Sequence, residues 1–205
     1  LARLDAGSIR TKDKERNWMS EQHEIYPVEV AGLHRDLRLF EVVPGLRIAI
    51  VNILGDTELV QAVARELASR LRDIGSDVIV TAEAKSIPLL YALAVEMDKP
   101  WVVLRKAYKP YMGQAIQAET LSITTGEPQT LYLDEKDKAL ISDSRVILVD
   151  DVISTGSTLQ AMRLVIDKAG GEVAAQAAIF TEGDRAKWQG IVALGHLPLF
   201  TENAG

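Results

Sequence analysis

Between residues 57 and 71 the apolar positions Leu59, Val60, Val63, Ala64, Leu67 and Leu71 recur at the three-and-four spacing of a helix with one buried face. Gly55-Asp56 precedes this stretch and Gly75 closes it. On its C-terminal side the pattern changes. Short unbroken apolar runs occupy residues 78–80, 101–104, 146–149 and 173–180, as expected of strands covered on both faces. Helical spacing returns at 88–97 and 159–166. Strand and helix therefore alternate, which predicts an α/β fold with a parallel sheet flanked by helices. A long polar loop and a hairpin separate the 101–104 strand from the 146–149 strand. Upstream, residues 26–31, 37–43 and 46–53 read as strands with a Pro44-Gly45 turn, and they predict a small hood beside the main sheet. Residues 1–25 are polar and aperiodic and read as an arm. The expected division is an arm and part of the hood over 1–45, and a main domain over 46–205 that forms one compact unit with the hood.

Length and composition narrow this picture. A chain of 205 residues suits one α/β domain with a modest appendage. Charged residues make up 25% and hydrophobic ones 47%, so a folded, soluble protein is expected, and a cytoplasmic location is compatible with the lack of cysteine. A net charge of −6 argues against a nucleic-acid-binding surface. The absence of cysteine excludes disulfides and thiolate metal sites. No apolar run approaches the ~18 residues of a membrane span, and the first residues lack the apolar core of a secretory signal.

The chemistry is concentrated at residues 146–158, Val-Ile-Leu-Val-Asp-Asp-Val-Ile-Ser-Thr-Gly-Ser-Thr. A loop between a strand's carboxyl end and a helix N-terminus lies where open α/β sheets bind ligands, and the unpaired helical N–H groups suit a phosphate. Ser154, Thr155, Ser157 and Thr158 add hydroxyl donors, while Gly156 lets the backbone approach closely. Asp150 and Asp151 would repel a phosphate, so their targets are neutral hydroxyls or a metal ion. A ribose 5-phosphate answers both demands. The plain alternative is a strand ending in an acidic cap before a Ser/Thr turn.

By residue class all 13 positions match the phosphoribosyl pyrophosphate (PRPP) signature, and here the chain resembles the type I phosphoribosyltransferases, adenine and purine members above all. The resemblance implies an α/β fold with a parallel sheet and a hood. It also implies transfer of a phosphoribosyl group from PRPP to a nucleobase, with a purine the expected acceptor. Residues 154–158 would hold the 5-phosphate. Glu83, Ala84, Lys85 and Ser86 correspond to a Glu-Ala-Arg-Gly pyrophosphate loop of the adenine enzymes, with Lys keeping the charge and losing the guanidinium fork. Arg105 and Lys106, with Lys109, would open a lid over the pyrophosphate, punctuated by Pro110 and Gly113. Asp150, Asp151 and Lys106 are the candidate catalytic groups, and Mg²⁺ is expected to ride largely on the substrate's own oxygens. A homodimer is implied, with Trp18, Trp188 and the arm as contact points. Taken alone, Trp188 reads as packed against the sheet's edge. His23, His34 and His196 are scattered and read as structural or exposed.

One departure leaves two function classes open. Residues 121–126, Leu-Ser-Ile-Thr-Thr-Gly, stand where adenine enzymes carry Tyr-Ser-Leu-Glu-Tyr-Gly, so Thr124 replaces an acid implicated in protonating the base. Glu119 or Glu127 is the alternative if the loop alignment slips. The enzyme reading is purine salvage. The other is a PRPP-sensing regulator resembling the effector domain of bacterial purine repressors, favoured by the Ile-Pro-Leu-Leu-Tyr-Ala run at 87–92. Against that, residues 1–45 are too short for a winged-helix DNA-binding domain. PRPP synthesis is disfavoured because no Gly-x-x-x-x-Gly-Lys-Ser/Thr phosphate loop occurs.

Overall fold

The computed structural model describes residues 24–121 and 128–201. The chain starts with three antiparallel strands, β1 (Ile25–Val30), β2 (Leu33–Val43) and β3 (Leu46–Ile50). Helix α1 (Thr57–Leu71) follows, capped by Asp56, whose side chain accepts the Leu59 N–H at 3.0 Å. Such a cap contributes about 1 kcal/mol. Arg35 on β2 grips the same cap, with Nε 2.7 Å from Oδ2 of Asp56 and a further pair to Glu58, so the hood strands are pinned to the start of α1.

The alternation then runs as the apolar pattern predicts: β4 (Val78–Ala82), α2 (Ile87–Met97), β5 (Trp101–Leu104), the hairpin β6 (Ile116–Leu121) and β7 (Pro128–Leu133), the short α3 (Lys138–Ile141), β8 (Arg145–Ile153), α4 (Ser157–Lys168) and β9 (Glu172–Glu182). Two strands that the pattern did not announce finish the fold, β10 (Val192–Leu197) and β11 (Phe200–Thr201). The main sheet is parallel, in the order β10-β9-β8-β4-β5. β11 returns to pair with β3 and completes a four-stranded hood, where Phe200 meets Tyr26 edge-on at 5.1 Å between ring centroids. β10 is hidden from sequence reading because its middle is small. Gly195 faces Phe180 across the pair, and a Cβ there would fall 2.6 Å from the ring.

Two apolar layers hold the sheet. On one side Ile79, Ile147 and Ile179 pack with Leu67, Leu71, Leu90 and Leu93 of α1 and α2, and this layer runs on into the inner face of the hood through Val30, Leu37 and Ala49. On the other side Val80, Leu104 and Leu148 pack with Met162 and Ile166 of α4 and with Leu131 and Leu133 of the hairpin. Truncating a fully buried leucine here, Leu93 for example, costs about 2–5 kcal/mol. No described helix is long and apolar enough to cross a membrane.

β8 extends beyond the apolar run at 146–149. Asp150 and Asp151 lie within the strand, which ends at Ile153, because parallel pairing to β9 continues to Thr181. The two acids thereby inherit the rigidity of a central strand.

Candidate functional site

Three connections meet at the carboxyl edge of β4, β5 and β8. The first is the loop from β8 into α4. Gly156 caps α4 at φ +80°, a left-handed conformation that glycine adopts without a Cβ penalty. The ring of Trp188 lies against it, 3.1 Å from where a Cβ would stand. The Trp188 indole N–H donates to the carbonyl of Glu182 at 2.7 Å. Trp188 is therefore turned onto this loop. Thr155 Oγ1 and Ser157 Oγ are 3.0 Å apart, and the Thr158 hydroxyl donates to Gln129 of the hairpin at 3.3 Å. Asp150, Ser154, Thr155, Gly156 and Thr158 line a small cup in front of the helix. First-turn amides, hydroxyls and the helix dipole together make this cup fit for a phosphate.

The second connection, from β4 into α2, joins the acids. The Ser86 hydroxyl donates to Asp150 Oδ1 at 2.6 Å, and its oxygen accepts the Asp151 N–H at 3.0 Å. Lys85 Nζ lies 3.0 Å from Asp151 Oδ2 and donates to the Val51 carbonyl at 2.9 Å. The Lys85–Asp151 contact is ionic and lacks hydrogen-bond geometry, so buried Oδ2 has no hydrogen-bond donor among the described residues. The Asp150 carboxyl is pushed up to about 7, first by burial and then by the charge of Asp151, against the pull of the Ser86 hydroxyl. The pair thus has acceptor capacity to spare, suited to hydroxyl donors or to a share in a divalent ion. Among the described residues no group of three or more His, Asp or Glu could hold a metal. Two carboxylates fit an ion whose remaining ligands come from a substrate.

The third connection leaves β5. Arg105 Nε sits 2.6 Å from Glu83 Oε2, and Glu83 Oε1 accepts the Lys106 N–H at 2.6 Å. Burial opposes the Glu83 charge, but the Lys106 amide and the Arg105 guanidinium outweigh it and hold the carboxyl below its usual range. The Glu83 hydrogen bond likewise raises Arg105. Arg105 also exchanges backbone hydrogen bonds with Tyr132 at 2.9 and 2.8 Å. This residue is thus anchored by side chain and backbone alike. The loop beyond it is pinned by the buried Met112 and by a 3.0 Å bond from the Tyr108 hydroxyl to the Gly113 carbonyl. The exposed side chains of Lys106 and Lys109 form no ion pair among the described residues.

Of the residues singled out by sequence, Ser86, Lys85, Asp150 and Asp151 form one bonded network, with residues 154–158 directly beyond it. Glu83, Arg105 and Lys106 form a second. Lys109 stands farther along the loop. Glu119 is exposed on β6, opposite Thr130, between the buried Ala118 and Thr120. Thr124, Glu127 and Trp18 lie outside the described residues. Sequence reading missed the Val51 carbonyl, Trp188 as the backing of Gly156, and the buried Glu182. None of the three carries a local motif.

Comparison with known proteins points the same way. Over 128 residues the chain is 36% identical to a hypoxanthine/guanine phosphoribosyltransferase of Methanococcus voltae, covering 62% of this chain and 64% of that protein. It is 29% identical over 133 residues to the purine biosynthesis transcriptional repressor of Bacillus subtilis, covering 65% and 46%. The matched stretch is thus less than two thirds of either relative's length. Among solved structures, an adenine phosphoribosyltransferase from Thermoanaerobacter pseudethanolicus superposes with a TM-score of 0.63 at 22% identity, over 78% of this chain and 95% of that one. One from Trypanosoma brucei, in complex with AMP, pyrophosphate and ribose-5-phosphate, gives 0.60 at 26%, over 73% and 70%. The phosphoribosyl transferase domain pattern matches residues 51–190, more than half of the sequence and the whole stretch from the Val51 carbonyl to Trp188. The chain belongs to the type I phosphoribosyltransferase family.

Proposed function

We propose that this protein transfers the 5-phosphoribosyl group of PRPP to a purine base and releases pyrophosphate. The observation that carries this reading is the under-compensated acid pair on β8, set between a phosphate-ready helix N-terminus and a rim of three cations. Ser154, Thr155, Gly156, Ser157 and Thr158 receive the 5-phosphate. Asp150 and Asp151 accept the 2- and 3-hydroxyls of the ribose. Lys85, Arg105 and Lys106, with Lys109 from the loop, face the pyrophosphate beside Glu83, Ala84 and Ser86.

In the reaction a base nitrogen donates its lone pair to the anomeric carbon, the bond from that carbon to the pyrophosphate oxygen breaks, the electron pair leaves with pyrophosphate, and the imidazole N–H proton of the base passes to water or to the departing pyrophosphate. The transition state has oxocarbenium character, so negative charge below the ribose and positive charge at the leaving oxygens both stabilise it. Asp151 pairs with Lys85 in the free protein. A ribose hydroxyl donating to Asp151 would release Lys85 toward the pyrophosphate. Asp150 and Asp151 would give a share of the coordination of a Mg²⁺ carried largely by the substrate, and such an ion would supply further positive charge at the leaving group. A homodimer is part of the proposal.

A second reading, a PRPP sensor without turnover, draws on the 29% identity to the purine repressor and on Thr124 in place of an acid. Pyrophosphate release from Mg·PRPP, assayed with adenine, guanine, hypoxanthine, xanthine and orotate, separates the two. The enzyme reading expects release with at least one purine, lost in the Asp150→Asn, Asp151→Asn double variant. PRPP binding by calorimetry with no release from any base would leave the sensor, and no PRPP binding would sink both.

A further inference from the structure

Helix α2 is apolar on every side. Glu96 is the sole charged residue of Ile87–Met97, and Leu89, Leu90, Leu93 and Ala94 already fill the core. The opposite face is apolar as well: Tyr91 and Val95, one helical turn apart, stand 57% and 63% exposed. A helix apolar all round is ordinarily covered all round. Trp101, 42% exposed at the start of β5, widens the patch, and its ring meets Tyr91 edge-on at 6.2 Å between centroids. Beside the patch lies a groove of about 480 Å³ between α1 and α2, whose apolar lining includes Ile53, Val60, Pro88 and Ala92, with Tyr91 and Val95 at its lip. A projecting ring and a hollow thus share one face. An apolar patch of this kind on the surface marks a place where something docks.

Charge identifies the occupant. Arg65 of α1 and Glu96 of α2 also line the groove; both are exposed, and neither forms an ion pair among the described residues. Asp56, the remaining charged group of the lining, is already held by Arg35. The face therefore carries one unpaired cation and one unpaired anion, in a chain whose net charge of −6 otherwise repels a copy of itself. We propose that this face is the interface of a two-fold homodimer, in which Tyr91 of each copy enters the α1–α2 groove of the other and Arg65 of each meets Glu96 of the other. Two-fold symmetry requires such self-complementarity, because every contact from one residue to a second is repeated from the second to the first. A foreign partner would need no such balance. A tyrosine seated in a pocket and ringed by polar groups is the usual energetic centre of an interface. The inference rests on the transferase reading for the homodimer alone, and association is measured without substrate, so its failure and a failure of turnover are told apart.

The test is sedimentation equilibrium of the full chain, with thermal unfolding curves as the check on folding. The wild type is expected to be a dimer at micromolar concentration. Tyr91→Glu with Val95→Glu should weaken association at least about 100-fold, and Arg65→Glu or Glu96→Arg alone at least about tenfold, with cooperative unfolding retained in each. Mixing the two single charge variants in equal amounts separates a second copy from any other cause. Each then supplies the charge that the other has lost, so the mixture should dimerise as the wild type does while neither variant does so alone. A monomeric wild type overturns the inference and leaves the face to another partner. A wild-type dimer unmoved by the paired glutamates overturns it too, by placing the interface elsewhere. If the paired glutamates prevent folding, the charge variants decide: recombination in the mixture supports the inference, and single variants that stay dimeric, or that come apart and fail to recombine, overturn it.

Discussion

Two carboxylate sites a strand apart are treated in opposite ways by the same fold. Glu83, after β4, meets a guanidinium and a backbone amide at 2.6 Å each and is held in its charged form. Asp150 and Asp151, on β8, share one serine and one lysine; Asp150 is driven toward its neutral form, and Asp151 keeps an oxygen without a hydrogen-bond donor among the described residues. A carboxylate supplied with enough donors is a structural joint, here the root of the Arg105 loop. One left short is held ready for something to arrive. The difference separates scaffold from site without reference to any motif.

The largest effect expected from that contrast is chemical. Asp150→Asn with Asp151→Asn should lower kcat by at least about a thousandfold, since it removes negative charge from beneath the ribose, and should leave the melting temperature level or raised. Glu83→Gln should do the reverse and destabilise the fold by about 2 kcal/mol in urea titration, with kcat falling much less. If Glu83→Gln instead cost as much kcat as the double variant at unchanged stability, the distinction would collapse.

The pH dependence sharpens it further. Because Asp150 titrates in the folded protein at about 7, above its unfolded value, the free native state holds the extra proton and loses stability as pH rises from the ordinary carboxylate range toward 7. A ribose hydroxyl needs the carboxylate as acceptor, so ligand binding must expel that proton. Affinity for Mg·PRPP should therefore rise about tenfold from pH 6 to 7.5 and level off above, with proton release visible by calorimetry in buffers of different ionisation enthalpy. Asp150→Asn should flatten the rise and leave only the titration of PRPP itself. An unchanged slope in that variant would remove Asp150 as its source. The smallest effect belongs to Trp188→Phe, which keeps a ring against Gly156 and deletes the bond to the Glu182 carbonyl. A loss of about 1 kcal/mol in unfolding free energy is expected, with a severalfold rise in the PRPP KM.

The parts of the site visible in sequence were those whose chemistry is consecutive. Residues 150–158 place acids, hydroxyls and glycine on one strand-to-helix turn, and any chain with that order must present them together. The loop at 83–86 was legible for the same reason. What bound these stretches to each other was not, because Ser86 reaches Asp150 across 64 positions and Lys85 reaches the Val51 carbonyl across 34. β10 escaped notice because a strand that admits the Phe180 ring through Gly195 has too little apolar signal of its own.

Local pattern, then, determined the alternating α/β order, the hood strands from residue 25 to 50 and the strand-to-helix turn at residues 150–158, since propensity, periodicity and turn chemistry act over a few residues. Tertiary packing decided the electrostatic state of each carboxylate. Whether an acid is satisfied depends on donors that arrive from other strands and on the water that burial removes, and neither can be read along the chain. That is why Asp150, Glu83 and Glu182, three acids alike in sequence, became a poised acceptor, a fixed joint and a carboxyl raised by burial.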